Sequence, residues 1–187
     1  MKPLILIGPK HCGKTAAGRA LAALTGTRFF DLDGEIEKYA GKTVRALYEQ
    51  GADIFRAAET AALVKLLEAD AVYIVAAGGG LTDNEAAMAL LAKSSIIPVF
   101  LHIGADAAWK RIEETAAKDG VLPPFLRTEN PQETHRVLHE RRNAACKKAA
   151  GIIVDAEGKS PKELAAEIVI YSKFTVNEAD KIPINLL

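Results

Sequence analysis

Only two cysteines, Cys12 and Cys146, occur in the 187-residue sequence, and its 24 lysines and arginines are balanced by 24 aspartates and glutamates. So few cysteines, in a chain long enough to bury its own core, exclude a disulfide framework and a multi-cysteine zinc site. The formal net charge of zero excludes the global positive field with which proteins hold nucleic acids or anionic membranes. No apolar run reaches the roughly eighteen residues that a membrane-spanning helix needs. We therefore expect neither a nucleic-acid nor a membrane partner.

The rest of the composition, 49% hydrophobic and 26% charged, is typical of one soluble globular domain. The segment Met1 to Gly8 is a short apolar stretch that ends in a turn, and it has neither the charged start nor the cleavage site of a secretory leader. We therefore expect a cytoplasmic protein, and we expect it to be a monomer.

Short apolar runs rich in Val, Ile and Leu alternate along the chain with longer stretches of helical composition. Strands are predicted at about Leu4 to Ile7, Arg28 to Phe30, Val72 to Val75, Pro98 to His102 and Ile152 to Val154. Helices are predicted at about Lys14 to Leu24, Ala58 to Glu68, Asn84 to Ala92, Ala105 to Ala117 and Gln132 to Ala150. Every strand except the last is apolar nearly throughout, as in strands covered on both faces. The pattern predicts a three-layer α/β fold, in which helices flank a five-stranded parallel sheet.

Two segments show neither the strand pattern nor the helix pattern. Lys118 to Pro131 is long, irregular and punctuated by proline, and such a segment in a compact domain is usually a lid or a binding loop. Ser172 to Leu187 is polar and ends in Ile-Pro-Ile-Asn-Leu-Leu, so we interpret it as a tail that is either loosely attached or packed as an arm. We expect one domain over residues 1–171, with a mobile lid at about 118–131, and a C-terminal tail over 172–187.

A phosphate-binding motif directly follows the first predicted strand. Its residues match G-x-x-x-x-G-K-[ST] in the required strand-then-helix context: Gly8, Pro9, Lys10, His11, Cys12, Gly13, Lys14 and Thr15. The two glycines let the backbone curl until its amides point at phosphate oxygens, and the helix N-terminus adds partial positive charge. The motif predicts an ATP site, in which Lys14 reaches the β and γ phosphates and Thr15 offers its hydroxyl to Mg²⁺. The alternative is an incidental glycine turn before a helix.

His11 and Cys12 fill variable positions of this loop. A thiol above a helix N-terminus is a candidate oxidation site. The alternative is that both residues are spacers that expose their backbone amides. The other three histidines belong to no recognised metal motif and are expected at the surface or at an interface: His102, His135 and His139.

The predicted strand Val72 to Val75 lacks the terminal acid that holds magnesium in many ATPases and GTPases, and it runs instead into a glycine turn, Gly78 to Gly80. The metal acid must come from elsewhere. The candidates are Asp31 and Asp33, which lie two residues apart at the end of a short strand, so that their carboxylates point the same way. One can hold Mg²⁺ through water while the other accepts the proton of an attacking hydroxyl or orients it. Alternatively, Asp33 caps the helix that begins at Gly34.

Arg56 and Glu59 lie three residues apart on one helical face, where an exposed ion pair is the default interpretation. Taken together, however, the motifs resemble those of the shikimate kinases, which are small P-loop kinases of the nucleoside-monophosphate-kinase type. The resemblance extends from Leu4 to about Ile170. It rests on the phosphate loop, Asp31-Leu32-Asp33 followed by Ile36-Glu37, Gly51 through Phe55-Arg56-Ala57-Ala58-Glu59, Gly78-Gly79-Gly80 and Arg142-Asn143.

On the nucleotide side, the resemblance implies that Lys14 and Thr15 hold the ATP phosphates and Mg²⁺, and that Asp31 supports the metal. Where relatives stack an arginine on the adenine, this chain offers Lys110 and Arg111, and we take Arg111 as the ATP-binding candidate.

On the acceptor side, the resemblance implies that Asp33 contacts the shikimate hydroxyls and helps to activate the one that is phosphorylated. Arg56 and Arg142 would clamp the shikimate carboxylate, because guanidinium groups bind a planar carboxylate through directed donors. The turn Gly78 to Gly80, through its backbone amides, would complete the substrate pocket.

The chain departs from these relatives at two places. Their lid carries an Arg-Pro-Leu-Leu-like motif, whereas this chain has Pro123-Pro124-Phe125-Leu126, so that a proline takes the place of the lid arginine. Arg127 is the expected catalytic substitute, since a missing lid cation can cost orders of magnitude in rate. After Arg142, relatives continue with a proline and a tyrosine, and this chain has Ala144 and Cys146 instead.

The resemblance therefore implies a shikimate kinase, which transfers the γ-phosphate of ATP to the 3-hydroxyl of shikimate in aromatic amino acid (chorismate) biosynthesis, with Mg²⁺ as cofactor. One alternative is a related small-molecule kinase that phosphorylates a different acceptor. The other is a nucleotide-binding protein that has lost kinase activity, an interpretation supported by the proline at the lid position and the altered stretch after Arg142.

Overall fold

The computed structural model describes residues 2–69, 71–93 and 95–179, with side chains for all of these except 119, 124 and 174–179. The strands are β1 Leu4–Ile7, β2 Arg28–Asp31, β3 Tyr73–Ala76, β4 Ile97–His102 and β5 Ile152–Asp155. They form one sheet in the order β2-β3-β1-β4-β5, and every neighbouring pair is parallel. The predicted five-stranded parallel α/β fold is confirmed.

Within this described part, eight α-helices connect and cover the strands. They are α1 Lys14–Thr25, α2 Leu32–Ala40, α3 Val44–Gln50, α4 Ala52–Leu67, α5 Glu85–Leu91, α6 Ala105–Asp119, α7 Pro131–Ala149 and α8 Pro161–Ala179. Short 3-10 turns occur at Leu81–Asp83 and Pro124–Leu126. The helices predicted on α1, α5, α6 and α7 agree to within two residues. The structure adds α3 and α8. It begins α2 at Leu32, whereas the sequence placed a helix start at Gly34, and it begins α4 at Ala52 rather than at Ala58.

The core lies on both faces of the sheet, because successive side chains of a strand point to opposite faces. On β1, Leu4 and Leu6 pack into a cluster with α1, α6 and α8. Ile5 and Ile7 pack into a second cluster with α2, α3, α4 and α5. All four side chains are at most 1% exposed, as expected for the central strand of a covered parallel sheet.

The two outer strands are less covered than β1. In the described part of the chain, β2 pairs with β3 alone, which leaves Arg28 exposed and Phe30 half-buried. The prediction that the Arg28 run is covered on both faces is therefore wrong, because β2 is an edge strand. On β5, Ile152 and Val154 are buried while Ile153 is 46% exposed, which matches the alternation expected for the last strand.

The C-terminal helix α8 packs against α1 and continues past residue 171, so the expected domain boundary falls inside a helix. Leu164 and Ile168 are buried in the core cluster on that face of the sheet. Ser172, the first residue of the expected tail, is only 2% exposed, and its hydroxyl donates to the Val169 carbonyl. Of the two interpretations of the tail, the start of the segment agrees with the packed one, and residues 180–187 lie outside the described residues. Among the described helices, none is both long and apolar enough to cross a bilayer.

The fold brings three chain segments to one edge of the sheet. Since all strands are parallel, their carboxyl ends lie at the same edge, where α/β proteins bind ligands. The strands β2, β3 and β1 are neighbours in the sheet. Strand β2 ends at Asp31, β3 ends just before the Gly78 turn, and β1 ends just before the phosphate loop.

Candidate active site

The loop between β1 and α1 has the backbone geometry of an anion site. Gly8 and Gly13 have φ of 147° and 98°, a region that favours glycine. A Cβ on Gly8 would lie 2.7 Å from the Leu101 carbonyl oxygen, so a larger residue would force the backbone to move. Gly13 caps α1 without a side-chain hydrogen bond, and the first turn of α1 holds no acidic residue. The first amides of α1 are therefore free to bind phosphate.

His11 and Cys12 have different environments in this loop. His11 adopts a left-handed φ of 64°, a costly conformation for a residue other than glycine. Burial, followed by the charge of Lys10, lowers the pKa of His11, so that the ring is neutral at pH 7. Cys12 is 1% exposed, which hides its thiol from oxidants in solution. The spacer interpretation of Cys12 is therefore the better one.

Lys14 is folded back onto its own loop. Its side chain is 8% exposed, and Nζ donates to the carbonyl oxygens of Gly8 and Pro9 at 2.9 and 2.8 Å. These two carbonyls hold the ammonium group at the base of the loop. To reach a phosphate, Lys14 has to exchange these carbonyls for phosphate oxygens.

Asp31 links β2 to the start of α1. The Thr15 hydroxyl donates to Asp31 Oδ2 at 3.0 Å, which joins the two predicted metal residues. The other oxygen, Oδ1, accepts the Asp33 amide and caps α2. The helix cap proposed for Asp33 is therefore wrong, because Asp31 fills it.

Asp33 lies in the first turn of α2 and not on the strand, so alternation along β2 is not what aligns the two carboxylates. They are nevertheless close: desolvation first, and the Asp31 charge second, raise the pKa of Asp33. A raised pKa makes the Asp33 carboxylate a stronger base.

The Gly78 to Gly80 turn is where the predicted substrate residues meet. A Cβ placed on Gly78 would lie 3.3 Å from Asp33 Oδ1, and one on Gly80 would lie 3.4 Å from Arg142 Nη2. A Cβ on Gly79 would lie 2.8 Å from the Lys10 backbone nitrogen. The turn therefore separates Asp33 from Arg142 while its middle residue abuts the phosphate loop.

Glu59 makes a contact that the sequence did not predict. It is 1% exposed, and its Oε2 accepts from Asn84 Nδ2 at 2.9 Å. Desolvation raises the pKa of Glu59, although the Asn84 hydrogen bond opposes that shift. The default ion pair between Arg56 and Glu59 is wrong, because Arg56 Nη1 donates instead to Asp53 Oδ1 at 2.9 Å.

Arg142 is held by a carboxylate. Its Nη2 donates to Asp83 Oδ2 at 2.6 Å, and Arg141 Nη2 donates to Asp83 Oδ1 at 2.7 Å. The Arg142 side chain is 15% exposed, so much of its charge is desolvated. Sequence reasoning missed Asp83, and the only signal available was its position just after the glycine turn.

Tyr48 is another site residue that sequence reasoning missed. Its ring stacks on Phe55, with ring centroids 4.0 Å apart. Desolvation and the Glu59 charge raise the pKa of Tyr48, which keeps its hydroxyl neutral. The hydroxyl lies 4.0 Å from a Cβ placed on Gly80, beside Arg142.

Phe125, rather than Arg127, is the side chain of the expected lid that reaches the site. Its ring lies 6.0 Å from Lys10 Nζ and 5.9 Å from Arg142 Cζ. Arg127 is exposed, and its Nε donates to the Leu122 carbonyl at 3.2 Å within the same segment.

Arg111 braces the phosphate loop from α6, since its Nη1 donates to the His11 carbonyl at 2.9 Å. Nearby, His135 and His139 are 6% and 3% exposed, so of the two expected locations, surface or interface, the surface one is wrong. Trp109 and His139 flank the His135 ring, and burial lowers the pKa of His135 to about 4. His102 is half-exposed, as expected.

A phosphate held by the first loop and an acceptor held beyond the glycine turn would face each other across Gly79, and this arrangement defines a P-loop kinase for a small acceptor. The family model described as "Shikimate kinase" matches residues 10–172 of the chain. The chain therefore belongs to the shikimate kinase family, and it is an ATP-dependent kinase. The predicted family is confirmed.

Individual relatives agree with this assignment. The chain is 34% identical over 170 residues to "Shikimate kinase 2" of Salmonella schwarzengrund, covering 90% of this chain and 91% of the relative. It is 29% identical over 168 residues to "Shikimate kinase" of Marinomonas sp., covering 89% of each. The solved structure of shikimate kinase from Acinetobacter baumannii in complex with shikimate superposes with a TM-score of 0.79 at 28% identity, over 98% of this chain and 96% of that one.

Proposed function

We propose that this protein transfers the γ-phosphate of ATP to the 3-hydroxyl of shikimate, as the names of its relatives suggest. The observation that carries this proposal is the contact between the two halves of the site: Gly79 abuts Lys10, with Asp33 on one side of the turn and Arg142 on the other. In the reaction, the bond between the γ-phosphorus and its bridging oxygen breaks while a bond to the shikimate oxygen forms. ADP leaves, and the hydroxyl proton passes to Asp33.

On the nucleotide side, the amides from Gly8 to Thr15 bind the phosphates and Lys14 neutralises them. Thr15 and Asp31 suit Mg²⁺, which binds through one or two carboxylates together with substrate phosphates, and their oxygens are already 3.0 Å apart. The ion would offset charge on the phosphoryl group as it is transferred. Arg111 contributes to ATP binding by holding the loop at His11.

On the acceptor side, Asp33 orients the reacting hydroxyl and accepts its proton. Arg56 and Arg142 bind the shikimate carboxylate, and the amides of the Gly78 to Gly80 turn line the pocket. Arg142 is already paired with Asp83, so the substrate carboxylate shares this guanidinium rather than finding it free.

In this chain a proline occupies the position of the relatives' lid arginine. Another cation therefore has to offset charge on the transferred phosphoryl group. Arg127 is one candidate, but it is tied to the Leu122 carbonyl. Lys10 is the other candidate, and it lies in the phosphate loop beside Phe125. The contacts favour Lys10, because its backbone abuts Gly79, the middle residue of the turn between the two halves of the site.

The substrate assignment is tested by measuring ADP release with shikimate, gluconate or a nucleoside monophosphate as acceptor. We expect ADP release to require shikimate, with one 3-phosphoshikimate formed for each ADP. Equal rates with gluconate or with a nucleoside monophosphate would contradict the assignment, and tight ATP binding without any turnover would favour the nucleotide-binding alternative. We further propose that the protein works as a monomer in the cytoplasm, in keeping with its zero net charge.

A further inference from the structure

A cavity of about 280 Å³ lies at the β2 edge of the sheet. It is lined by residues of β2, α2, α4, the start of β3 and the connection before β3. None of the residues placed above in the phosphate loop or the acceptor pocket lines it. The cavity is therefore separate from the site already described.

The inner wall of the cavity is aromatic. Phe30 and Tyr73 meet edge to face, with ring centroids 5.9 Å apart, and Ala62 and Leu66 complete the apolar surface. Tyr73 is 2% exposed, yet its hydroxyl makes no hydrogen bond to any described residue. The hydroxyl can both donate and accept, so it offers a hydrogen bond to a ligand in the cavity.

The outer wall of the cavity is basic. Arg28, Lys38 and Lys65 line it, and Glu35 supplies the one carboxylate among the described lining residues. Glu35 is already paired with Lys38, at 2.6 Å. Across the described part of the chain, Arg28 and Lys65 have no ion-pair partner, and both are exposed. Two cations that no described carboxylate pairs therefore lie at the solvent side of an aromatic cavity.

We propose that this cavity binds a small aromatic carboxylate, with its ring against Phe30 and Tyr73 and its carboxylate at Arg28 and Lys65. An inorganic anion would leave the aromatic wall uncovered, and a neutral hydrocarbon would leave both cations without an anionic partner. The volume is near the lower end of ligand pockets, which start at roughly 300 Å³, so it suits a single ring with a short acidic chain.

The cavity is lined by the same two elements, β2 and α2, that carry Asp31 and Asp33. Phe30 immediately precedes Asp31, and α2 carries both the lining residue Lys38 and, in its first turn, Asp33. A ligand that packs against β2 and α2 therefore touches the elements that carry both aspartates.

The test uses 3-phenylpropanoate as the probe with the full chain, in the presence of saturating shikimate and ADP to occupy the established site. Calorimetry and backbone amide NMR should detect saturable binding with one probe per chain. The amide shifts should be centred on Phe30, Lys38, Lys65 and Tyr73. The neutral analogue 3-phenylpropanol should bind about tenfold more weakly, because it lacks the charge-assisted hydrogen bonds.

Three variants assign the binding to these residues. Arg28→Gln and Lys65→Gln should each weaken 3-phenylpropanoate binding by about three- to tenfold, and Tyr73→Phe, which keeps the ring, by about threefold. Lys162→Gln, a change to an exposed lysine on α8, is the matched control and should leave binding unchanged.

Several results would overturn the proposal: no saturable binding up to about 10 mM probe, equal affinity for the alcohol, unchanged affinity in both charge variants, or binding that occurs only when shikimate is left out. Binding of that last kind would instead place the probe in the arginine pocket. Shikimate-dependent ADP release, measured on the same preparations, reports separately on the proposed function.

Discussion

The phosphate loop and the acceptor pocket obtain their charged groups in different ways. Within the loop, the groups predicted to bind phosphate lie between Gly8 and Thr15, and Lys14 is held by the carbonyls of its own loop. The acceptor pocket instead collects side chains from distant segments. Asp83 and Arg142 pair across 59 residues of sequence, and Glu59 and Asn84 across 25. Lys14 is therefore held by local contacts, whereas Arg142 and Glu59 in the pocket depend on partners from distant segments of the chain.

This difference predicts that damage to the pocket should leave nucleotide binding intact. The strongest case is Asp33→Asn, which removes the base and the charge while keeping the shape of the side chain. We expect kcat to fall by about 10³-fold, the usual range for a lost general base, with the Kd for ATP unchanged. A coupled ADP assay gives kcat and calorimetry gives the Kd. Glu49→Gln, an exposed carboxylate paired with Arg45, is the control and should behave like the unmodified protein. A comparable loss of ATP affinity in Asp33→Asn would show that the two halves do not act independently.

The second prediction concerns whether the phosphate loop or the lid segment supplies the cation that replaces the missing lid arginine. Lys10→Ala should lower kcat by about 10²-fold, because it removes a charge beside the transferred phosphoryl group, whereas Arg127→Ala should lower kcat by about threefold or less. Steady-state kinetics with saturating ATP and shikimate compare the two variants, with Lys162→Ala as the control. If Arg127→Ala had the larger effect, the cation would come from the lid, and Lys10 would be a binding residue only.

The same contrast explains how much could be predicted from the sequence. The phosphate loop was predicted residue by residue, because its motif consists of residues at fixed positions within one short segment. The strands were predicted because buried parallel strands are continuous apolar runs. For the nine-residue helix α2, only a start near Gly34 was expected and its extent was not, because just two of its residues, Leu32 and Ile36, are buried, which is too few to give a helical period. In α8, by contrast, Leu164, Ala165 and Ile168 form a helical stripe that could have been recognised.

The acceptor pocket was predicted only through its resemblance to a family. Neither the carboxylate that holds Arg142 nor the amide that holds Glu59 has a sequence signature, because each is chosen by packing between distant elements. Asp33 shows the same limit. Its place near Asp31 was predicted from strand alternation, but the structure achieves it through a helix turn that Asp31 itself caps.

Helix α7 joins the two halves of the site, since it carries His135 near the phosphate loop and Arg142 in the pocket. The buried His135 should make the stability of the fold sensitive to acid. The pKa of His135 is lowered from 6.5 to about 4 by burial. Between these values the unfolded chain binds a proton that the native chain does not, so stability falls as the pH drops from 6.5 toward 4. We expect a loss of roughly 2–3 kcal/mol over that window from this residue.

Urea unfolding of the protein at pH 7 and at pH 4.5 would measure this loss. His135→Gln, which cannot be protonated, should show a smaller dependence on pH, while His102→Gln, a change at a half-exposed histidine, should keep the original dependence. An unchanged pH dependence in His135→Gln would mean that other groups cause the acid sensitivity.

The smallest effect should come from the partner of the pocket arginine. Asp83→Asn keeps the shape of the side chain but removes the charge that holds Arg142 and Arg141. Because a charge-assisted hydrogen bond that positions Arg142 is weakened, we expect the KM for shikimate to rise by about three- to tenfold with kcat within about twofold. The KM for ATP should not change, since the phosphate loop is built locally. Initial rates over a matrix of shikimate and ATP concentrations separate these constants, and Asp106→Asn, at an exposed position on α6, is the control. A lower KM for shikimate would mean that Asp83 competes with the substrate carboxylate for Arg142 instead of positioning it.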